Sequence, residues 1–594
     1  MKYRVKNKNN DFLKGDGLLH SLLRDRGVNN PKELLNLGED SIHDGMLFKN
    51  MYEGLVLLNK HIKNKSKIHI IIDSDFDGIS SSALVYNYIK DVEPSINITF
   101  NYHSGKQHGI ILEELNEFEY DLLIVPDAGS GDIEQCNSLK NEGKEVLILD
   151  HHLFDENIES AVLINCQDGE YPNKTLSGVG VAYKFCKEYD ISSNNNYADR
   201  YLDLVALGMV ADGMDLRDNE TRYLVTKGLE LLNARDKGNQ FFNKLIEDDK
   251  REEMLNITGI GWKIAPLINS VVRVGTMQEK NDVFNAIIGS NETREYQPRR
   301  KSKNDPKPEL QVESLQKFMA RAIKNIKARQ DRLVKKGVET VNEKILANDL
   351  DKNKVIVVDA TDELESTFTG LVANKLANQY KRPTLVLKKR KNDTFGGSGR
   401  NYELFEEDNL MELLNKTNKF EYIKGHENAF GMGIKNENIH GFIEESNELL
   451  KNVSIENVHH VDYEIPVGRL KEKDIIEIGK WVDVWGNTLQ EPLFAITDIH
   501  VNIEDIQMLG SKKNIIRVTK KIGSNNITFI KLFTGEKEYN KMIMKSEKGL
   551  SKRSGTKFKF DIIGKFKVNN YEGRELPQIE IVDYNVSKAS RPSF

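Results

Sequence analysis

The spacing of apolar positions changes character several times along the chain. In residues 1–65 apolar residues recur at helical intervals, as in LLHSLLRDRG and MLFKNMYEGLVLLNKHI, which predicts helices. From 66 to about 225, short apolar runs alternate with amphipathic segments: IHIIID then SALVYNYIK, YDLLIVPDAG, EVLILDHH, SAVLIN, GVGVAYKFCKEY and LDLVALGMVAD. That alternation predicts an α/β domain with a parallel sheet buried on both faces. Helical spacing continues to about 290, and EYQPRRKSKNDPKPELQ (295–311) reads as a proline- and charge-rich linker. The next stretch, ESLQKFMARAIKNIKARQDRLVKKGVETVNEKI, keeps a helical period without Pro or Gly until Gly337, which predicts a long connecting helix. A second α/β unit starts at VIVVDA (355–360) and closes near GHENAFGMGI (425–434). The last hundred residues become short strands with lysine-rich turns (FAITDIHV, IIRVTKKI, ITFIKLF, KFKFDIIGKFKV, PQIEIVDYNV), which suggests a small β-barrel.

At 594 residues the chain exceeds a single core. The expected segments are 1–65, 66–290, 291–354, 355–455 and 456–594. The 39% hydrophobic and 30% charged content is that of an ordinary globular protein. There is no 18-residue apolar run, and MKYRVKNKNN lacks an apolar signal core, so a cytoplasmic protein without a membrane span is expected. Cys136, Cys166 and Cys186 are odd in number and lack CxxC spacing, which argues for reduced, packed thiols. Charge is uneven. Residues 501–594 carry 19 Lys/Arg against 10 Asp/Glu, whereas the whole chain is −6. A basic end on an acidic body fits a polyanion, although lysine-rich solvated faces are also common.

The chemistry concentrates where apolar runs end. IHIII is followed by Asp73-Ser74-Asp75-Phe76-Asp77-Gly78, LLIVP by Asp127, EVLIL by Asp150-His151-His152, and LDLVALGMVA by Asp212. A single acid there is usually a helix cap or turn former. Four runs delivering carboxylates and imidazoles to one rim are different, because converging acids repel and require cations. Carboxylates with one or two imidazoles suit Mn²⁺ or Mg²⁺, and two such ions can bridge a phosphate and activate water. Three acids at alternate positions let one strand end reach both ions. His69 lies within its strand and reads as a packed or hydrogen-bonded residue. The Gly78-Ile79-Ser80-Ser81 turn can offer amides to phosphate, and is equally an ordinary helix start.

DSDFDG, Asp127, DHH (150–152) and VALGMVAD ending at Asp212 resemble the four motifs of the DHH phosphoesterase superfamily, and most closely its RecJ-type single-strand-specific 5′→3′ DNA exonucleases. HGI (108–110), LSGVGVAYKF (176–185), IAPLINSVVRVG (264–275), VANKLANQYKRPTLVL (372–387), GGSGR (396–400), GHENAFGMG (425–433), WGNTLQEPLF (485–494) and VNNYEGRELPQIEIVDY (568–584) extend the likeness over nearly everything from about 66 onward. The resemblance implies a DHH domain and a DHH-associated α/β domain joined by the long helix, plus an OB-like barrel. It also implies roles. Asp73 and Asp75 would hold one metal, Asp77, His151 and Asp212 the other, and Asp127 would bridge them. His152 would meet the scissile phosphate, with Asp150 orienting the histidines. Ser398, Gly399, Arg400, His426 and Arg273 would grip the strand's 5′ end. Read from its residues alone, GGSGR is a flexible, amide-rich turn.

Two departures bear on the 5′ end. Motif two reads PDAGSG, and NYHSGKQHGI lacks the family's usual arginine, with His103 near its position. In the barrel, Tyr571, Phe529 and Phe533 are possible stacking platforms. Core packing is the expectation for the two phenylalanines, which leaves Tyr571 as the better candidate. The expected function is a two-metal 5′→3′ single-stranded-DNA exonuclease of repair and recombination, monomeric, with single-strand-binding protein or helicase as candidate partners. The alternative is a DHH phosphodiesterase acting on oligoribonucleotides or cyclic dinucleotides, which the basic C-terminal extension disfavours. A non-catalytic relative is disfavoured because every metal ligand is present.

Overall fold

The structure, a computed structural model, describes residues 1–7, 17–103, 107–234, 237–247, 255–298, 300, 306–407, 409–454, 456–486, 488–522, 525–543 and 557–588. It divides into two compact units, one of residues 27–331 with 483–490, the other of 1–26, 332–482 and 491–594.

The first unit is built on five parallel strands: β1 (Ile68–Ile72), β2 (Ile98–Tyr102), β3 (Leu122–Pro126), β4 (Glu145–Asp150) and β5 (Val162–Asn165), in the order β2-β1-β3-β4-β5. Strand alternation sends Ile68, Ile70, Ile72, Leu122, Ile124, Leu147 and Leu149 to one core. Ile71, Leu123, Val125, Val146 and Ile148 pack into another on the opposite face with Cys136 and Leu139. Both faces are therefore dry, as continuous apolar strands predict, and each buried aliphatic side chain contributes about 1.5–3 kcal/mol over an exposed one. His69 is fully buried in β1, bonded to Thr99 Oγ1 (2.7 Å) and Asn101 Oδ1 (2.9 Å). Burial pushes its pKa down to about 4, so it is a neutral structural residue. Cys136, Cys166 and Cys186 are buried free thiols.

The helices that shape the site are α1 (Phe76–Val92), α2 (Gly178–Ser193), α3 (Leu202–Asp212), α4 (Asn219–Asn233) and α5 (Ala265–Val274). LDLVALGMVAD, grouped above with the strands that end in ligands, is thus the helix α3. It is apolar all round because seven consecutive residues, Leu204–Val210, are buried, and periodicity does not separate such a helix from a buried strand. The segment 295–311, read as a linker, begins and ends inside two short strands, Thr293–Tyr296 and Gln311–Ser314, that pair antiparallel, and its residues 299 and 301–305 lie outside the described residues.

The long helix, α6 (Leu315–Ala347), has 33 residues. Beyond it the second unit holds β6 (Ile356–Asp359), α7 (Thr369–Tyr380), β7 (Thr384–Lys389), β8 (Thr394–Arg400), β9 (Phe420–His426) and β10 (Ala429–Lys435), in the sheet order β9-β10-β8-β7-β6. GGSGR is therefore not a turn: it lies in β8, between β7 and β10. Its glycines serve close approach, since the Phe430 ring lies 2.3 Å from where a Gly399 side chain would begin.

The C-terminal sheet has seven strands: β11 (Tyr463–Pro466), β12 (Phe494–Asn502), β13 (Ile506–Leu509), β14 (Ile515–Ile522), β15 (Asn525–Lys531), β16 (Lys557–Tyr571) and β17 (Arg574–Lys588), ordered β11-β12-β16-β17-β15-β14-β13. The five predicted strands are all there, with β11 and β13 added at its edges. Phe529 is buried, as expected, but Phe533 is not: it is 93% exposed with φ +51°. Apolarity alone assigned it to a core that its left-handed backbone turns it away from. Tyr571, at the tip of the β16–β17 hairpin, is exposed. Among the described residues no helix is long and apolar enough to cross a membrane.

Candidate metal centre and phosphate-binding face

In a sheet ordered β2-β1-β3-β4-β5, a crevice opens beyond the carboxyl ends of β1 and β3, where the connections diverge. Both strands end in acids. After Ile72 the chain leaves the sheet at Asp73, and Asp75 caps α1 by accepting from the Gly78 amide (2.9 Å). Asp77 is already in the first turn of that helix, so the alternate acids are presented by a strand–helix turn and not by a strand end. After Pro126, Asp127 takes left-handed backbone (φ +66°), its amide donating to the Leu149 carbonyl (2.8 Å). Aspartate tolerates that conformation at some cost, and such residues concentrate at functional sites.

Three groups of ligand atoms lie within 4.8 Å of one another: Asp73, Asp75 and Asp127; Asp77, His151 and Asp212; and Asp127, His151 and His152. The structure thus gathers all six candidate ligands around Asp127. Burial and then neighbouring carboxylates push Asp75, Asp77, Asp127 and Asp212 up from their ordinary range. Asp212 is also the last residue of α3, where the helix dipole disfavours a negative charge.

The residues fit divalent cations. Among the described residues, Asp77 Oδ2 and Asp127 Oδ1 are buried without a hydrogen-bond partner. His151 Nε2 lies 3.3 Å from Asp127 Oδ1 and 3.7 Å from Asp212 Oδ2. Burial lowers the His151 pKa to about 4, so a neutral ring nitrogen stands between two carboxylates, where a cation can be held by all three. An oxygen-rich set with one imidazole is Mg²⁺ or Mn²⁺ chemistry.

Around these stand groups that organise them. Asp150 is buried and accepts from the Ser130, His151 and His152 amides and from His152 Nδ1 (2.8 Å). Burial alone would raise its carboxyl, but the bond to His152 holds it well below its usual range. The same bond, foremost, pushes exposed His152 up to about 9, so its ring carries a proton at neutral pH. Arg273, in the last turn of α5, is close enough to Asp75 for the carboxylate to offset part of its desolvation. Three contributors had no role assigned from the sequence. His108 Nδ1 bonds Asp73 (2.8 Å), and Ser177 Oγ donates to Asp77 Oδ1 (2.9 Å). Gly208 on α3 admits Asp77, whose Oδ1 lies 2.4 Å from where a side chain would begin. All three lie in quoted motifs, HGI, LSGVG and VALGM, which was the available signal. His103, near the position of the family's usual arginine, is buried and bonded to Glu114 (2.8 Å).

The second unit holds the other candidates. Arg400 and His426 both pair with Ala429, and Ser398 and Lys424 both pair with Gly431. Paired residues of antiparallel strands share a face, so Ser398, Arg400, Lys424 and His426 frame a floor of Gly431 and Ala429, with about 10 Å between outer strands. Gly399 alternates to the opposite face. Ser398 Oγ meets Thr369 Oγ1 (2.9 Å), and the Arg400 guanidinium lies against Gly370 in the first turn of α7. A guanidinium at the positive end of a helix is a placement that an anion stabilises. Lys424 was the residue missed here. Tyr571 belongs to the C-terminal sheet and is not part of this group.

The DHH family N-terminal domain model matches residues 67–209, and the RecJ OB domain model matches 461–583. The chain is 35% identical over 584 residues, covering 96% of both chains, to a Bacillus subtilis (strain 168) protein named as the SPbeta prophage-derived single-strand DNA-specific exonuclease YorK. It is 24% identical to the single-stranded-DNA-specific exonuclease RecJ of the same organism, over 96% of this chain and 68% of that one. Its fold matches the crystal structure of Thermus thermophilus RecJ in complex with Mn²⁺ (TM-score 0.62, 17% identity, 91% of this chain and 72% of that chain). With both domain models in order and a relative similar over its whole length, the chain belongs to the RecJ family of DHH-superfamily exonucleases.

Proposed function

We propose that the chain hydrolyses single-stranded DNA from the 5′ end with two divalent cations, as a cytoplasmic monomer serving repair and recombination. The observation that carries this is the pair of ligand groups, Asp73/Asp75/Asp127 and Asp77/His151/Asp212, converging in one crevice. When bound, the cations supply positive charge for activating water and for the charge that builds on the phosphate. The chain's own groups do the rest. Protonated His152, held by Asp150, faces the leaving oxygen as hydrogen-bond donor or acid, and Arg273 adds a guanidinium beside Asp75. The face of Ser398, Arg400, Lys424 and His426 offers a seat for a terminal phosphate. Exposed Tyr571, at the tip of the β16–β17 hairpin, and exposed Phe533, just past the end of β15, offer two separate stacking surfaces on the C-terminal sheet.

The test uses linear single strands labelled at either end, their duplex and RNA counterparts, and a circular single strand, each with Mn²⁺. Labelled product leaving first from the 5′ end of single-stranded DNA is expected, with the circle intact. Release from the 3′ end, or rapid cutting of the circle, overturns the reading.

Gly208→Ala probes the crevice without removing a ligand. The added methyl would meet Asp77 Oδ1 at 2.4 Å and Val179 Cγ1 at 2.7 Å. Overpacking of this kind costs about 1–3 kcal/mol of stability, and displacing Asp77 by roughly 1 Å lowers turnover by about 10²-fold. Thermal melting and single-turnover rates check both.

A further inference from the structure

A helical face leads from open solvent to the metal centre within the first unit. α5 is preceded by a single π-helical turn, Ile260–Ile264. Ile264, Ala265, Ile268 and Val271 are buried in the core, whereas Trp262, Pro266, Asn269 and Arg273, at intervals of four, three and four, are exposed or half-exposed. That spacing is one stripe along a helix. Its far end is Arg273, in the last turn of α5, which packs against α1, the helix that Asp75 caps. Its near end is Trp262, 80% exposed.

Three observations together separate Trp262 from an incidental surface residue. Single π turns within helices concentrate at functional sites. The stripe ends at the metal centre. And residues 255–278 include no Asp or Glu, with Lys263 and Arg273 their only charges, in a chain with 91 acidic residues. A chain segment free of carboxylates around an exposed indole suits a polyanion with aromatic rings.

We propose that Trp262 is a nucleobase-stacking site on the track by which a single strand enters the metal centre. This rests on the single-strand nuclease reading above. Eleven residues separate Trp262 from Arg273, about 16 Å along a helix, so the stacked base lies at most about five nucleotides from the one at Arg273, taking 3.4 Å per nucleotide as the closest spacing. Trp262 is a positioning residue: it holds the strand in line and touches no reacting atom.

The test compares the Mn²⁺-loaded full-length protein with its Trp262→Ala and Trp262→Phe variants on dinucleotides and on long single strands. Trp262→Ala should raise KM for the long strand by about 5–150-fold with kcat little changed, the range one stacked base supplies. Trp262→Phe should recover most of it, and the penalty should fade on strands too short to reach the indole. Of the three tryptophans Trp485 is buried and Trp481 half-buried, so a long, hydrolysis-resistant phosphorothioate strand should quench mainly Trp262 fluorescence. An unchanged long-strand KM, an equal penalty on dinucleotides, or no quenching overturns the proposal. A wild-type protein that leaves single-stranded DNA uncut instead removes the nuclease reading, and this inference with it.

Discussion

Asp127→Ala or His151→Ala is expected to lower turnover by at least ~10³-fold while single-strand affinity survives, because charge stabilisation at the metal centre is worth several kcal/mol. Asp127 belongs to two of the three ligand groups, and His151 to two. Asp127→Ala takes a donor from the Asp73/Asp75 half and His151→Ala one from the Asp77/Asp212 half, and the two residues meet in the third group. EDTA should abolish activity and Mn²⁺ restore it, followed as release of labelled nucleotide. Near-normal turnover in either purified variant, or activity that survives thorough chelation, rules out the assignment of these residues to cations.

The second large effect concerns the terminal phosphate. A 5′-phosphorylated strand should be degraded faster than its 5′-hydroxyl counterpart, and Arg400→Ala should erase most of the difference. A charge-assisted contact to phosphate contributes about 1.5–3 kcal/mol, or roughly 10–150-fold. Lys424 and His426 flank the same floor, so Lys424→Ala should cost a smaller share. Equal rates on the two strands, or an Arg400→Ala variant that keeps the full preference, would mean the phosphate is seated elsewhere.

Much of the site is legible in the order of residues alone. Acids following apolar runs located the crevice, because a parallel sheet obliges its strands to end on one rim. Where reading failed, the failure had a local cause. Leu202–Asp212 is buried all round, which removes the periodicity that marks a helix. GGSGR looked like a turn because glycine signals both freedom and closeness, and here the Phe430 ring takes the side-chain space. Lys424 pairs across β10 with Ser398, 26 positions away, a relation only the register reveals. Ser177 and His108 reach their acids from 100 and 35 positions away, so nothing near the acids announced them.

The unit that carries the metal centre is not one contiguous piece of chain. Residues 483–490 return to it after some 150 residues spent in the other unit. There the Val484 carbonyl accepts from Arg222, at the start of α4, and Thr488 Oγ1 accepts from the Leu216 amide, four residues past Asp212. A ribosome must therefore pass residue 490 before the ligand-bearing half has all its parts. Messages cut short, or genes split near the long helix, would yield a half whose Arg222 guanidinium has lost one of its carbonyls. In genetic terms nuclease and C-terminal domain form one heritable block, and shuffling the ligand-bearing half onto another partner would require carrying this short return segment along.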